Sequence, residues 1–140
     1  MKYHPELYTK LFIEADVEKI SYLKLSEVPK AIFSLNIPVT VEQVKKVTEV
    51  AKLPEKLILR DFVRLVYILD NADPDDSKTI LFLANDTDYK QKVQVDIFKN
   101  LNRIGIPCHQ DDVVDIMREL ADQDGFVSYE LFISVCSEVI

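Results

Sequence analysis

A fourteen-residue stretch occurs twice in this chain, and it governs what the chain can fold into. Ser34 to Val47 reads SLNIPVTVEQVKKV; Arg103 to Ile116, 69 residues later, reads RIGIPCHQDDVVDI. At that offset Leu35 aligns with Ile104, Ile37 with Ile106, Pro38 with Pro107, Val44 with Val113 and Val47 with Ile116. The match continues upstream through Glu27 and Asp96, Val28 and Ile97, and Ile32 and Leu101. At an offset of 70, Leu57 meets Val127 and Phe62 meets Phe132. A repeat this long is a supersecondary unit used twice.

Each copy reads helix, connector, helix. Val28, Ala31, Ile32 and Leu35 recur at helical spacing and end at Asn36; Ile97, Leu101 and Ile104 end at Gly105. Asn and Gly are the residues most at ease in the left-handed conformation that closes a helix. Pro38 and Pro107 follow two residues later, where a helix cannot continue. Thr40 and Gln110 then stand where a second helix begins, with Glu42, Asp111 and Asp112 at its positive end. Val44 and Val47, or Val113, Ile116, Met117 and Leu120, form the inward face.

The rest of the chain extends this pattern. Pro5 opens a first helix carrying Tyr8, Leu11, Phe12 and Ala15. A polar loop over Asp16 to Glu27 precedes the first copy of the repeat, and Leu53-Pro54 ends the helix of Val41 to Ala51. Leu57 to Leu59 is a short β-prone run, and Asp61 to Leu69 a fourth helix. The acidic stretch DNADPDDSK holds Pro74 and nothing to bury, so it reads as a linker. The division expected is 1–70, a linker over 71–78, and 79–140. The second half keeps the same order, with an apolar segment over Ser77 to Asn85, a short alternation at Val93 to Val95, a Phe126-Val127-Ser128 strand and a closing helix from Tyr129. This predicts an all-α chain with four short strand touches.

Composition excludes several functions. With 140 residues and 48% hydrophobic content the chain can bury a substantial core. A net charge of −7 argues against nucleic acid, whose phosphates call for Lys and Arg, and favours a basic partner. No apolar run approaches the roughly 20 residues of a membrane span, and MKYHPEL has no secretory pattern. Both point to a cytoplasmic protein with no membrane insertion. Cys108 and Cys136 lack metal-ligand spacing and read as free thiols. There is no glycine-rich phosphate loop and no nucleophile beside a base, and His4 and His109 read as surface residues. Neither catalysis nor a cofactor is expected.

The segments EVPKAIFSLNIPVTVEQV, FKNLNRIGIPCHQDDVVDIMREL and ADQDGFVSYELF resemble the calmodulin superfamily of paired EF-hands, over nearly the whole chain. The resemblance implies two EF-hand-pair lobes, each with a short β-bridge between its paired loops through Leu23 and Leu57, and through Val93 and Val127. A calcium loop of this type needs oxygens at positions 1, 3, 5, 7 and 9, Gly at 6 and a bidentate Glu at 12. The first loop keeps Asp16, Glu18 and Glu27, the weak metal candidates, but has Ile20 at position 5, Ser21 at 6 and Lys24 at 9. The second, Lys52 to Asp61, is two residues short. The third opens at Asp86, putting Ile97 at position 12, or at Asn85, putting Lys92 on an apolar strand position. The fourth keeps Asp122, Asp124 and Gly125 but is a residue short and has Leu131 in place of the Glu. No metal is expected.

Within the superfamily the pattern is similar to myosin light chains, particularly the essential type. That implies a calcium-independent light chain, a monomer within a larger complex, clamping a basic amphipathic helix of the IQ type in a myosin heavy chain and stiffening its lever arm. Localisation would be with the actomyosin motor or cytoskeleton. The residues expected to hold the target are Leu23, Val28, Ala31, Ile32, Phe62, Leu65 and Val66 in the first lobe. In the second they are Ile97, Leu101, Ile104, Ile116, Met117, Leu120, Phe132 and Val135, the longer set and the firmer grip. Only two methionines, Met1 and Met117, suit a dedicated binder rather than a promiscuous one. The alternative is a calcium-regulated sensor or a centrin-like subunit of another target, which predicts an oxygen-rich loop; only the first loop keeps part of one.

Overall fold

Pro5 fixes the backbone angle at the start of helix α1 (Pro5–Ala15), directly after His4. In this computed structural model, which describes residues 1–107, Asp115, Arg118, Glu119 and 121–138, the chain is mostly helical with two small antiparallel sheets. It divides into two units, Met1–Asp76 and Ser77–Ile140.

In unit 1, α1 is followed by strand β1 (Leu23–Lys24), a 3₁₀ turn (Leu25–Glu27), helix α2 (Val28–Ala31) and a second 3₁₀ turn (Phe33–Leu35). Helix α3 (Val41–Ala51), strand β2 (Lys56–Leu57) and helix α4 (Leu59–Asn71) complete it. Thr40 starts α3 with a reciprocal cap: its hydroxyl accepts from the Gln43 amide at 3.2 Å, and Gln43 Oε1 accepts from the Thr40 amide at 3.0 Å. Lys52, left-handed at φ 56°, ends α3; the Leu53 amide reaches back to Thr48 O at 2.9 Å. The core stacks Phe12 on Phe62, ring centroids 5.5 Å apart, among Tyr8, Leu23, Val28, Ile32, Val44, Val47, Leu65 and Ile68. Each of these buried apolar side chains contributes roughly 1.5–3 kcal/mol of transfer free energy.

Unit 2 runs from α5 (Ser77–Asn85) through β3 (Lys92–Gln94) into a 3₁₀ stretch (Val95–Ile104), then β4 (Phe126–Ser128) and α6 (Tyr129–Glu138). Phe132 packs between Phe82 and Phe98, centroids 5.6 and 5.5 Å away. Thr79 Oγ1 and the Tyr129 hydroxyl share a 2.8 Å hydrogen bond that ties α5 to α6.

Three boundaries differ from the sequence reading. The apolar face from Val28 to Leu35 is not one α-helix: it breaks at Ile32 (φ −104°, ψ 9°), and the amides of Leu35 and Asn36 bond back only three residues. Its repeat partner, 95–104, is wound as 3₁₀ throughout. Helix α4 is longer at both ends than Asp61 to Leu69, because Phe62 bonds to Ile58 O and Ala72 to Ile68 O, while Asn71 Nδ2 donates to Tyr67 O. The non-helical connection is therefore 72–76, since Asn71 belongs to α4, and Ser77 and Lys78 to α5.

Candidate functional site in the paired loops

The loop after α1 and the loop after α5 are built alike. In the first, Asp16 Oδ1 accepts from the Ile20 amide at 3.0 Å, Oδ2 accepts from the Ser21 amide at 2.9 Å, and Lys19 N–H reaches Asp16 O. In the second, Asp86 Oδ1 accepts from the Lys90 amide and Oδ2 from the Gln91 amide, both at 2.9 Å, while Tyr89 N–H reaches Asp86 O. The left-handed residues correspond as well: Lys19 and Ser21 (φ 54° and 68°) match Tyr89 and Gln91 (φ 57° and 61°). Asp86, not Asn85, is thus the counterpart of Asp16, at an offset of 70. One residue is lost further on, so that the offset is 69 from Glu27 and Asp96 through the connector.

Each loop runs into a strand that pairs within its own unit. Leu23 lies opposite Leu57 with Lys24 opposite Lys56, and Val93 lies opposite Val127 with Lys92 opposite Ser128 and Gln94 opposite Phe126. These are the two apolar pairs that the resemblance implies, and all four side chains are buried. The Val95 amide adds a rung to Gly125 O at 3.2 Å.

The oxygen sets are turned toward the protein's own donors. Glu27 Oε1 accepts from the Lys24 amide at 3.0 Å, and Glu18 is exposed. Asp122 Oδ1 takes the amides of Asp124 and Phe126 at 3.0 and 2.9 Å; its Oδ2 lies 3.6 Å from Lys92 Nζ. Those contacts, the Phe126 amide foremost, hold its carboxyl below the usual carboxylate range. A cleft of about 430 Å³ opens beside β3, with Asp88, Asp96, Asp124, Lys90 and Lys92 among the residues that line it. Among the described residues no group of three or more His, Cys, Asp or Glu side chains is arranged to hold a metal ion. The carboxylates of Asp16, Glu27, Asp86 and Asp122 are engaged by backbone amides, and that of Asp122 also by Lys92.

The residues nominated for target binding fall mostly in the two cores. Leu23, Val28, Ile32, Phe62, Leu65 and Val66 are buried in unit 1, and Ile97, Leu101, Phe132 and Val135 in unit 2. Ala31 and Ile104 are half-exposed. Ile116, Met117 and Leu120, together with Cys108, His109 and Gln110, lie outside the described residues. Cys136 is fully buried, and the His4 ring stands edge-on to Tyr8 at 6.1 Å. No helix among the described residues is long and apolar enough to cross a membrane. What sequence reasoning missed is the pair of lysines beside the ladders, Lys56 and Lys92, whose significance depends on strand register. Comparison of the chain with protein-family models and with curated protein sequences gives no match.

Proposed function

We propose that the chain is a non-catalytic, calcium-independent light chain of the calmodulin superfamily, two EF-hand-type pairs that clamp a basic IQ-type helix of a myosin heavy chain and stiffen it. One observation carries this reading. Both units keep matched loops opened by Asp16 and Asp86 and joined through Leu23–Leu57 and Val93–Val127, yet Ile20, Lys24, Lys90 and Ile97 stand where a calcium loop needs oxygens. A loop scaffold kept without its oxygens suits a permanent subunit better than a switch. The net charge of −7 complements a Lys- and Arg-rich helix.

Because most of the nominated side chains are buried, a target helix would enter by replacing contacts within each unit. Half-exposed Ala31 and Ile104 are the first it meets. Apparent affinity is then reduced by the fraction of molecules that are open. The test is calorimetry of a panel of IQ-type peptides in EDTA against a scrambled basic peptide. The expected result is selective binding that calcium leaves unchanged and that physiological salt weakens only modestly. Ile104→Glu should weaken it about tenfold, equivalent to roughly 1.4 kcal/mol, without burying a charge as Leu101→Asp would. No preference over the scrambled peptide would show the light-chain assignment to be wrong, and binding only with calcium would bring the sensor reading forward.

A further inference from the structure

The residues that precede the two paired apolar positions are, in each unit, one lysine and one aromatic. In unit 1, Tyr22 precedes Leu23 and Lys56 precedes Leu57; in unit 2, Lys92 precedes Val93 and Phe126 precedes Val127. The order is exchanged between units, but the geometry is the same. Lys56 Nζ lies 5.1 Å from the centre of the Tyr22 ring, and Lys92 Nζ lies 5.0 Å from the centre of the Phe126 ring.

Register explains why the two arrangements coincide. Successive side chains on a strand point to opposite faces. With the apolar pair turned into the core, the residue before each member projects from the other face of the ladder. In an antiparallel pair those two residues are diagonal neighbours, within reach of a long side chain and a ring. An ammonium at about 5 Å from a ring centre is inside the range of a cation–π contact. In unit 2 the same ammonium also faces Asp122 Oδ2 at 3.6 Å, so it touches both the ring and a carboxylate of the facing loop.

We propose that each unit carries its own cation, a lysine ammonium seated on the ring of the facing loop, which straps the two loops together in place of a bound divalent ion. Lys56 on Tyr22 and Lys92 on Phe126 are the two straps, and they hold the loop pairs in one arrangement whatever the free calcium concentration. The inference rests on the paired-loop reading of the two units; it does not depend on any partner.

A double-mutant cycle in EDTA, read by hydrogen exchange, tests it on the full chain. The reporter in unit 2 is the Val95 amide, which donates to Gly125 O across the loop pair. Lys92→Met should raise its exchange rate about two- to fivefold, the worth of an exposed cation–π contact. Lys92→Arg should leave it unchanged, and the amides of 23–24 and 56–57 in unit 1 should not respond. Phe126→Leu should give a similar rise, and the double variant little more than either single. The mirror cycle, Lys56→Met with Tyr22→Leu, should move unit 1 alone. Effects that simply multiply, or a Lys92→Met variant that exchanges at the original rate, would overturn the straps. Because no target peptide is present, failure of the IQ-peptide titration and failure of this cycle are separate results.

Discussion

The two units repeat one pattern but present different surfaces. Unit 1 holds eleven Lys and Arg against thirteen Asp and Glu, a net of −2; unit 2 holds six against eleven, a net of −5. The exposed large hydrophobic side chains of the described residues (Met1, Leu7, Ile13, Val17, Ile20, Phe33, Ile58 and Leu59) all belong to unit 1. Phe33, 80% exposed, aligns with Asn102, whereas half-exposed Ile37 aligns with buried Ile106. Unit 1 also carries a segment before its first helix that fastens it: Lys2 and Asn71 exchange two hydrogen bonds, and the Tyr3 ring packs edge-on against Tyr67 at 5.6 Å. The repeat thus sets the core and the loop pairing, while positions outside the core are free to diverge. By sequence, acidity concentrates in unit 2; among the described residues, exposed apolar side chains concentrate in unit 1.

The strongest way to break this comparison is to empty one core and watch the other. Phe132→Ala removes the ring between Phe82 and Phe98 and should cost about 3–5 kcal/mol. A unit of 64 residues has a total stability of roughly 3–10 kcal/mol by ordinary per-residue values, so unit 2 should be largely unfolded. Hydrogen exchange should show protection lost in unit 2 and kept in unit 1, with Phe62→Ala giving the converse. Loss of protection in both from either variant would mean that the repeat builds one cooperative body.

The next largest effect is confined to unit 1. The Tyr8 hydroxyl donates to Asp70 Oδ2 at 2.6 Å, joining α1 to the end of α4, and burial followed by the Asp70 carboxylate pushes its ionisation well above the ordinary tyrosine value. Tyr8→Phe should cost about 1.5 kcal/mol, typical of a hydrogen bond to a charged group. The pH dependence has a definite sign. A proton held more tightly in the folded state means that stability is full below the unfolded tyrosine value of about 10 and falls as pH rises beyond it. Tyr8→Phe should flatten that alkaline fall, followed by circular dichroism of thermal unfolding between pH 8 and 11. A fall of undiminished slope in the variant would assign it to other groups.

Much of this architecture is legible in the sequence, for particular reasons. Proline and the left-handed formers punctuate the chain strongly enough to locate α3, and the Asn36 and Gly105 ends appear at φ 58° and 80°. Period-two alternation is too short here to reveal strands; the pairs Leu23–Leu57 and Val93–Val127 are implied only by the resemblance to paired EF-hands. Apolar spacing cannot separate a closed core from an open groove, since Val28, Ile32 and Leu101 serve either purpose equally well. The winding at 95–104 escapes a helical-period reading, because Ile97, Leu101 and Ile104 fit i,i+4 and i,i+3 spacing alike. The lysine straps need cross-strand register, which no local pattern contains.

A smaller effect asks whether the two loops are equivalent in energy as well as in geometry. Ser21 and Gln91 hold left-handed backbone at matching positions, which costs an L-residue roughly 1 kcal/mol or more. Ser21→Gly and Gln91→Gly should each stabilise their own unit by up to about 1 kcal/mol, less the entropy that glycine surrenders on folding. Equal gains would support the correspondence of Asp16 and Asp86 on which the loop alignment rests. A loss in one unit only would place a side-chain contact there that offsets the backbone strain.

The smallest expected effect concerns the connection itself. Lys46 Nζ bonds Asp75 Oδ1 at 2.8 Å, and Asp73 Oδ1 accepts from the Asp75 amide at 2.8 Å, so the acidic segment after α4 is folded against α3. Both partners of the ion pair are largely exposed, and such pairs are worth about 0–1 kcal/mol, less in salt. Lys46→Met should therefore leave the unfolding temperature of unit 1 nearly unchanged. Proteolysis is more sensitive, because cleavage requires only that 72–76 lift away from α3. The variant should be cut at Lys78 or among Asp73, Asp75 and Asp76 up to about fivefold faster than the native chain, a difference that 0.5 M salt should erase by screening the native pair. Equal rates at low salt would show that the ion pair does not hold the segment down, and faster cutting within α3 would show that Lys46 supports the helix rather than the connection.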